Sequence, residues 1–342
     1  MALSVHICGQ VWGYLARYSH AVAESVTIDD VDRGLVHALK VDGRVPFSAV
    51  AEVLGVSEHT IARRYRRLRG NGVLRVVGTA NGLRLGYRSW TIRIRCTPDA
   101  AVPIAAALAR RTDTYWIHVL SGGTEISCNC QPSSADQLLI ENLPRRRGVL
   151  GVSAHELLPG SFHPPRWGAI EHLGAEQRAR LRRPEPDLLT EQVVLEAPDH
   201  RMLDGLRADG RATYAELVRA TGWSQSTVAR RLDHLRRTGV LTFDVEIPPA
   251  ALGYRVEARL WMAVQPAALV ATAESLAGHR EVSFVAVTTG PTNLVAQVIC
   301  HDSLDLYRYL TEEVAGLPGV NSVETAPVLH TVKGFHSRGP AE

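Results

Sequence analysis

The sequence predicts an α+β chain built on one plan used twice. Three observations carry this. The chain aligns with itself after a shift of 167 residues, each copy opens with apolar residues at helical spacing, and each copy closes on a strand, helix, strand, strand, helix, strand pattern. A length of 342 residues is too great for one ordinary domain and suits several small ones. Hydrophobic residues at 45% and charged residues at 21% exclude wholesale disorder, a collagen-like repeat and a long coiled coil. Thirty-eight Lys and Arg against 35 Asp and Glu leave only +3, so affinity for a polyanion has to come from local clustering. No run approaches the roughly 18 uncharged apolar residues of a membrane span, so no membrane partner is expected. Five cysteines, an odd number, fit a reducing cytoplasm rather than a disulfide framework.

The first element, residues 1–27, lacks a basic start and a cleavage site and is expected to be a poorly ordered extension. The repeat begins after it. Asp32–Leu74 aligns with Asp199–Leu241 without a gap, and 16 of the 43 positions are identical. They include Asp32/Asp199, Asp42-Gly43-Arg44/Asp209-Gly210-Arg211, Gly55/Gly222, Ser57/Ser224, Thr60/Thr227, Arg63-Arg64/Arg230-Arg231 and Gly72-Val73-Leu74/Gly239-Val240-Leu241. Leu85-Gly86-Tyr87 matches Leu252-Gly253-Tyr254 in the same register. Between the copies, residues 159–195 carry Pro164-Pro165 and Pro184-Glu185-Pro186 around a short helix at Ala175–Arg183. This stretch is expected to be a linker that packs loosely at most.

The front of the first copy, 28–80, opens with Val31, Leu35 and Leu39 at four-residue spacing behind an acidic start, which predicts an amphipathic helix. Asp42-Gly43-Arg44 breaks it. A second helix runs over about Pro46–Leu54, Gly55-Val56 makes a turn, and Ser57 caps a third helix to about Gly70. Ile61, Tyr65 and Leu68 must point inward, leaving Thr60, Arg63, Arg64 and Arg67 for solvent or a ligand. This is a helix-turn-helix, and the extended segment after Gly72-Val73-Leu74 makes it a winged one. The copy at 196–247 repeats it, with Ser224 as cap, Val228, Leu232 and Leu235 inward, and Thr227, Arg230 and Arg231 outward. A helix of this kind fits the major groove of B-DNA, polar N-terminal residues reaching base edges while arginines meet phosphates. The candidate base-reading positions are Ser57, Glu58, His59 and Thr60, with Ser224, Gln225, Ser226 and Thr227. The candidate phosphate contacts are Arg63, Arg64 and Arg67, with Arg230 and Arg231. An Arg-rich helix face is often merely solvated, but two copies with the same turn, cap and Arg pair favour double-stranded DNA. In the second copy Asp233 and His234 replace Arg66 and Arg67.

The back of each copy, 84–158 and 251–336, reads as strands and helices in the order βαββαβ. In the first, strands are expected at Ser89–Cys96, Thr114–Leu120, Glu125–Cys130 and Val149–Leu157, with helices at Asp99–Arg111 and Ser133–Leu143. In the second, strands are expected at Val256–Val264, Val282–Thr288, Asn293–Cys300 and Val320–His330, with helices at Pro266–Gly278 and Ser303–Ala315. The order is ferredoxin-like, both helices lying on one face of an antiparallel sheet. The other face is expected to be apolar and covered by another copy of the domain. Gly122, Gly123 and Glu125, and Thr289, Gly290 and Asn293, lie in the turns between the middle strands. Glycine there is explained by a hairpin turn, and equally by a small-ligand site where backbone NH groups and a polar side chain converge.

Taken together, Asp42-Gly43-Arg44, Leu54-Gly55-Val56-Ser57, Thr60, Arg63-Arg64, Leu85-Gly86-Tyr87, the Gly122 and Gly290 turns and their second-copy counterparts resemble the Lrp/AsnC (feast/famine) transcriptional regulators. The resemblance implies two winged helix-turn-helix domains and two ferredoxin-like effector domains of the RAM type. It also implies sequence-specific DNA binding, dimerisation through the sheets, and an effector such as an amino acid or related metabolite. The family's usual chain carries one unit, so this one resembles an intrachain pseudo-dimer, with homo-oligomers as a further step. The family's effector loop is Gly-Asp-Tyr-Asp-like, whereas here the loops read Gly122-Gly123-Thr124-Glu125 and Gly290-Pro291-Thr292-Asn293.

Sirohaem decarboxylases look similar in architecture and are the enzymatic alternative. Their His-Asn-Tyr-x-Arg-like segment is missing from Thr114-Tyr115-Trp116-Ile117-His118 and from Ser283-Phe284-Val285-Ala286-Val287. Cys128 and Cys130 share one sheet face, but no further Cys pair or His cluster follows at ligand spacing. No acid/base or nucleophile constellation is visible, so no enzyme activity, cofactor or metal is expected.

Overall fold

The computed structural model describes residues 27–132, 143, 146–158, 167–184 and 193–334. The N-terminal extension (apart from Thr27) and the helix expected over Ser133–Leu143 (apart from Leu143) lie outside the described residues. The chain forms two compact units: Ser25–Tyr87 with Ile170–Ala251, and Arg88–Ala169 with Leu252 onward. Each unit takes one piece from either copy.

In the helical unit, α1 (Asp30–Val41) is opened by a capping box: Asp29 accepts from the Asp32 amide at 3.0 Å while Asp32 accepts from the Asp29 amide at 3.2 Å. α2 (Phe47–Leu54) stops at Gly55, whose φ of 67° ends the helix in the left-handed region, and Ser57 then caps α3 (Glu58–Gly70). Ile61, Tyr65 and Leu68 are buried, as the spacing predicts. β1 (Arg75–Ala80) follows. Between the copies the helix over Ala175–Leu181 is α5, and in the second front half α6 (Ala197–Ala208), α7 (Tyr214–Thr221), α8 (Gln225–Arg237) and β6 (Leu241–Glu246) repeat the plan.

The ladder partner of β1 is β6, antiparallel from Arg75 opposite Glu246 to Ala80 opposite Leu241. Each strand thus leaves its own repeat and pairs with the other's. α1 packs on β6 and α6 on β1, so closely that a Cβ at Gly78 would lie 2.7 Å from Leu206 Cβ, and one at Gly43 2.6 Å from Phe243 Cβ. The repeated Asp-Gly-Arg motif, expected only as a helix breaker, fastens this exchange. Arg44 donates to the carbonyls of Gly210 (2.7 Å) and Ala212 (3.0 Å), and Arg211 to those of Gly43 (2.8 Å) and Val45 (3.1 Å). Asp42 takes Arg236 at 2.6 Å and Asp209 takes Arg69 at 2.7 Å.

Of the segment between the copies, residues 159–166 and 185–192 lie outside the described residues, while residues 170–184 pack on the first helix-turn-helix. His37 Nδ1 accepts from the amides of His172 (2.7 Å) and Leu173 (2.8 Å), and Gln177 on α5 donates to the Val53 carbonyl at 3.0 Å. Two orphan amides and a buried Leu173 fix the strap against α1 and α2.

The sheet unit contains β2 (Ser89–Cys96), α4 (Pro98–Ala109), β3 (Thr114–Leu120), β4 (Glu125–Cys130) and β5 (Val149–Leu157) from the first copy. From the second come β7 (Val256–Val264), α9 (Leu269–Gly278), β8 (Val282–Val287), β9 (Leu294–Cys300), α10 (Ser303–Arg308) and β10 (Val320–Lys333). Strand order is β5-β2-β4-β3-β10-β7-β9-β8, two ferredoxin-like sheets joined through β3 and β10. Leu157 also bridges Thr288, which ties the outer strands β5 and β8 together. The copy that covers each sheet is therefore the chain's own other half.

Alternation along the strands separates two faces. Ile92, Ile94, Ile117, Ile126, Cys128 and Cys130 pack with α4, and Leu260, Met262, Leu294 and Val298 with the helices of the second half. The opposite, inner face departs from the expectation of an apolar surface. In the first half Ser89, Thr91, His118, Glu125, Ser127 and Asn129 on that face are all buried. Residues of both halves, Leu120, Leu157, Trp261, Ala286, Val295 and Ala326, form an apolar core between the sheets.

His118 is 1% exposed, and its Nδ1 lies 3.0 Å from Thr331 Oγ1. Burial and the nearby Arg259 charge bring its pKa down to about 3. The unfolded chain protonates this ring near 6.5, so stability is complete above that pH and declines as pH falls toward 3. His118→Asn should remove about 1.4 kcal/mol of this dependence per pH unit between pH 6 and 4, read from urea midpoints. Parallel profiles for the two proteins would show that the ring is protonated without cost.

Candidate nucleic-acid interface

The exposed ends of α3 and α8 are built alike. Ser57 Oγ accepts the Thr60 amide at 3.1 Å and lies 2.9 Å from Thr60 Oγ1, while Ser224 Oγ accepts the Thr227 amide at 3.3 Å and lies 2.9 Å from Thr227 Oγ1. Each cap satisfies an orphan amide and turns the first helical turn outward. Ser57, Glu58, His59, Ser224, Gln225 and Ser226 are exposed, and Thr60 and Thr227 half-buried.

The arginines divide into two kinds. Arg63 and Arg230, equivalent positions of the repeat, are exposed and make no hydrogen bond or ion pair among the described residues. Arg64 and Arg231, their neighbours, turn back to the first helix of their own domain. Arg231 holds Asp199 through both oxygens, at 2.8 and 2.7 Å, and donates to the Val194 carbonyl at 2.9 Å. Arg64 holds Asp32 at 3.2 Å and also pairs with Asp29. Arg67 pairs with Asp32 as well, leaving 40% of its side chain exposed. Both acceptors, Asp32 and Asp199, are wholly buried. Burial pushes the Asp199 carboxyl up, but the Arg231 hydrogen bonds, the Glu196 amide and Coulomb attraction hold it below its ordinary range. Three of the predicted phosphate-facing side chains thus hold internal carboxylates, and two face outward unpaired. The signal was in the repeat: Asp32 and Arg64 recur together, 32 residues apart in each copy.

The two effector-type loops differ. Gly122 and Gly123 have φ of 66° and 89° in a tight turn, and Glu125 just beyond is buried on the inner sheet face, where it accepts from Arg93 at 2.9 Å. Thr289 exchanges hydrogen bonds with the Glu156 backbone, its amide donating at 3.0 Å and its hydroxyl accepting at 2.9 Å. Gly290 has φ of 97°, and the His155 ring fills the place a Cβ would need, 2.1 Å away. The Asn293 side chain closes both backbone groups of Val264 at 2.8 Å. Cys128 and Cys130 lie in the core beside α4, and burial pushes the Cys130 thiol up to about 12. Among the described residues no helix is long and apolar enough to cross a membrane.

A family model described as the AsnC-type helix-turn-helix domain matches residues 28–69 and 197–236, and one described as the Lrp/AsnC ligand binding domain matches 257–337. An uncharacterised HTH-type transcriptional regulator of Pyrococcus abyssi is 34% identical over 42% of this chain and 90% of its own length. The HTH-type transcriptional regulator FL11 of Pyrococcus horikoshii is 32% identical over 42% of this chain and 94% of its own. Regulatory protein AsnC of Escherichia coli is 26% identical over 42% and 99%. Among solved structures, the siroheme decarboxylase NirDL superposes with a TM-score of 0.59 at 14% identity, covering 92% of this chain and 95% of its own, a likeness of fold.

Proposed function

The chain belongs to the Lrp/AsnC family of DNA-binding transcriptional regulators, and from that premise we propose which of its faces meet DNA. Ser57, His59 and Thr60 on α3, with Ser224, Gln225 and Thr227 on α8, read base edges. Arg63 and Arg230 take phosphates. Arg64 and Arg231 set the angle of the two helices through Asp32 and Asp199, and Arg67 combines that role with a partly exposed charge. The observation that carries this assignment is the outward position of Arg63 and Arg230, unpaired among the described residues, at the same place in both repeats.

The test is fluorescence anisotropy on duplex DNA from upstream of the chain's own gene, as a function of salt. Arg63→Ala with Arg230→Ala should weaken binding to all sequences and flatten the logarithmic salt slope by about 0.9 per lost phosphate contact, up to ~1.8 units. An unchanged slope would remove this face from the DNA. Thr60→Ala should instead change preference between sites.

Family members bind small-molecule effectors and oligomerise. Here the effector, an amino acid or related metabolite, is assigned to the Gly122-Gly123 turn with Glu125. In the second half Thr289, Gly290 and Asn293 are engaged by backbone and by His155, which makes the two loops unequal sites. The protein acts in the cytoplasm as a covalent pseudo-dimer that associates further, and it does so without catalysis. The likeness to NirDL is one of fold, and β3 reads Thr-Tyr-Trp-Ile-His where the decarboxylase-type segment would stand. Incubation with sirohaem should leave it unchanged.

A further inference from the structure

The two helix-turn-helix domains fill the space beside their Asp-Gly-Arg loops differently. Beside Arg211, the Tyr65 ring of α3 packs against Phe47 with centres 5.2 Å apart, and the guanidinium lies 4.4 Å from Phe47 and 5.5 Å from Tyr65. The repeat puts Tyr214 in the place of Phe47 but Leu232, on α8, in the place of Tyr65. Arg44, the equivalent of Arg211, therefore has Tyr214 at 5.9 Å and no tyrosine ring from the helix beside it. There a cleft of about 440 Å³ is open between the loop, α8 and the strap helix α5. That volume is within the range of small-molecule sites.

The cleft has apolar walls and an unbalanced charge. Pro46, Leu181 and Leu232 line it. So do the four guanidinium groups of Arg44, Arg180, Arg183 and Arg236, against the two carboxylates of Asp42 and Asp233. Asp42 holds Arg236 at 2.6 Å, and Asp233 is shared by Arg183 at 2.9 Å and Arg237 at 3.0 Å. Arg180 pairs with Glu52, which does not line the cleft. Arg44 has no carboxylate partner among the described residues, and its donors go to the backbone carbonyls of Gly210 and Ala212. Burial draws the Arg44 and Arg236 pKa values down, because both cations are partly stripped of water. An anion entering here meets surplus positive charge that is already desolvated, and the attraction is stronger than on open surface.

Shape and charge together select the ligand. The apolar wall and the Tyr214 ring suit a flat ring, at the place where the twin domain puts Tyr65, and the guanidinium rim suits a negative head. We propose that this cleft binds an aryl anion, a single aromatic ring carrying a carboxylate or a phosphate. The bound molecule touches the strap, the first Asp-Gly-Arg loop and α8 at once, and so ties α8 to the first repeat. The site belongs to the helical unit, whereas the glycine turns belong to the sheet unit.

The test uses the full chain without DNA, so its outcome is independent of the regulator assignment. Thermal unfolding is followed in phenyl phosphate and phenylacetate at constant ionic strength, against inorganic phosphate, acetate and benzyl alcohol. At least one aryl anion should raise the Tm saturably, by on the order of 5 °C at a hundred times its Kd. A stronger response to phenyl phosphate identifies a phosphate ester, and the reverse an aryl carboxylate. Leu232→Tyr gives the second repeat the residue that the first already houses, and should fold and abolish the response. Arg180→Gln with Arg183→Gln changes two half-exposed side chains. That pair should leave the Tm without ligand nearly unchanged and raise the Kd about tenfold. A Tm indifferent to both aryl anions would overturn the proposal. So would an equal response to inorganic phosphate, acetate or benzyl alcohol, a response kept by Leu232→Tyr, or one undiminished in the arginine pair.

Discussion

Replacing Asp199 by alanine should lower the stability of the helical unit by about 3–5 kcal/mol, because it strands a guanidinium whose carboxylate partner is wholly buried. Arg231 holds Asp199 through both oxygens, and Asp199 also accepts the Glu196 amide at 2.9 Å, so one substitution removes an ion pair and half of a helix cap. Asp199→Asn keeps the shape and loses the charge, and should cost less. Its difference from the parent chain should depend on pH in a defined direction. The Asp199 carboxyl is held below its ordinary range, so its stabilisation is complete above the unfolded pKa of about 3.9 and disappears as pH falls through the lower folded value. Urea unfolding of the two proteins should therefore diverge at neutral pH and converge in acid. Equal midpoints at pH 7 would show that the pair contributes nothing. Asp32→Ala should likewise destabilise the helical unit at neutral pH, since it releases both Arg64 and Arg67.

A comparable loss is expected from the clamp that joins the two helix-turn-helix domains. Arg44 and Arg211 each donate to two carbonyls of the opposite repeat, and hydrogen bonds to a charged group are worth about 1.5–3 kcal/mol. Either arginine changed to methionine should cost on the order of 2–4 kcal/mol. The double variant should cost less than the sum, since both arginines serve one interface, and the Arg211 pKa is lowered first by burial and then also by the Arg44 charge. A double-mutant cycle on urea midpoints measures the coupling. Strict additivity would mean that the two arginines act separately and the clamp is not a unit.

Much of the architecture was legible because side-chain period reports which residues turn inward. The expected strands Ser89–Cys96, Thr114–Leu120, Glu125–Cys130, Val149–Leu157 and Val256–Val264 appear with those bounds, and Gly55 and Gly222 end their helices where left-handed backbone was needed. Period does not report whose interior a residue enters. Gly72-Val73-Leu74 announces a strand equally well whether that strand folds back or crosses to the other repeat, so the pairing of β1 with β6 could not be read. Charge is ambiguous in the same way: Arg63 and Arg64 are adjacent and chemically identical, yet one faces solvent and the other a buried carboxylate. The polar inner sheet face was hidden because Ser, Thr and Asn alternating with Ile and Cys look like an ordinary solvent-facing strand.

The exchange of β1 and β6 within one polypeptide has a consequence for what the protein can evolve to recognise. A homodimer must present two identical heads and is confined to near-palindromic operators. Here the heads are tethered and cannot part on dilution, and nothing obliges them to stay alike. One tip carries Glu58 and His59, the other Gln225 and Ser226. Two unlike heads on one chain are free to fit a composite of two unlike half-sites, an oriented operator that a symmetric dimer would not distinguish.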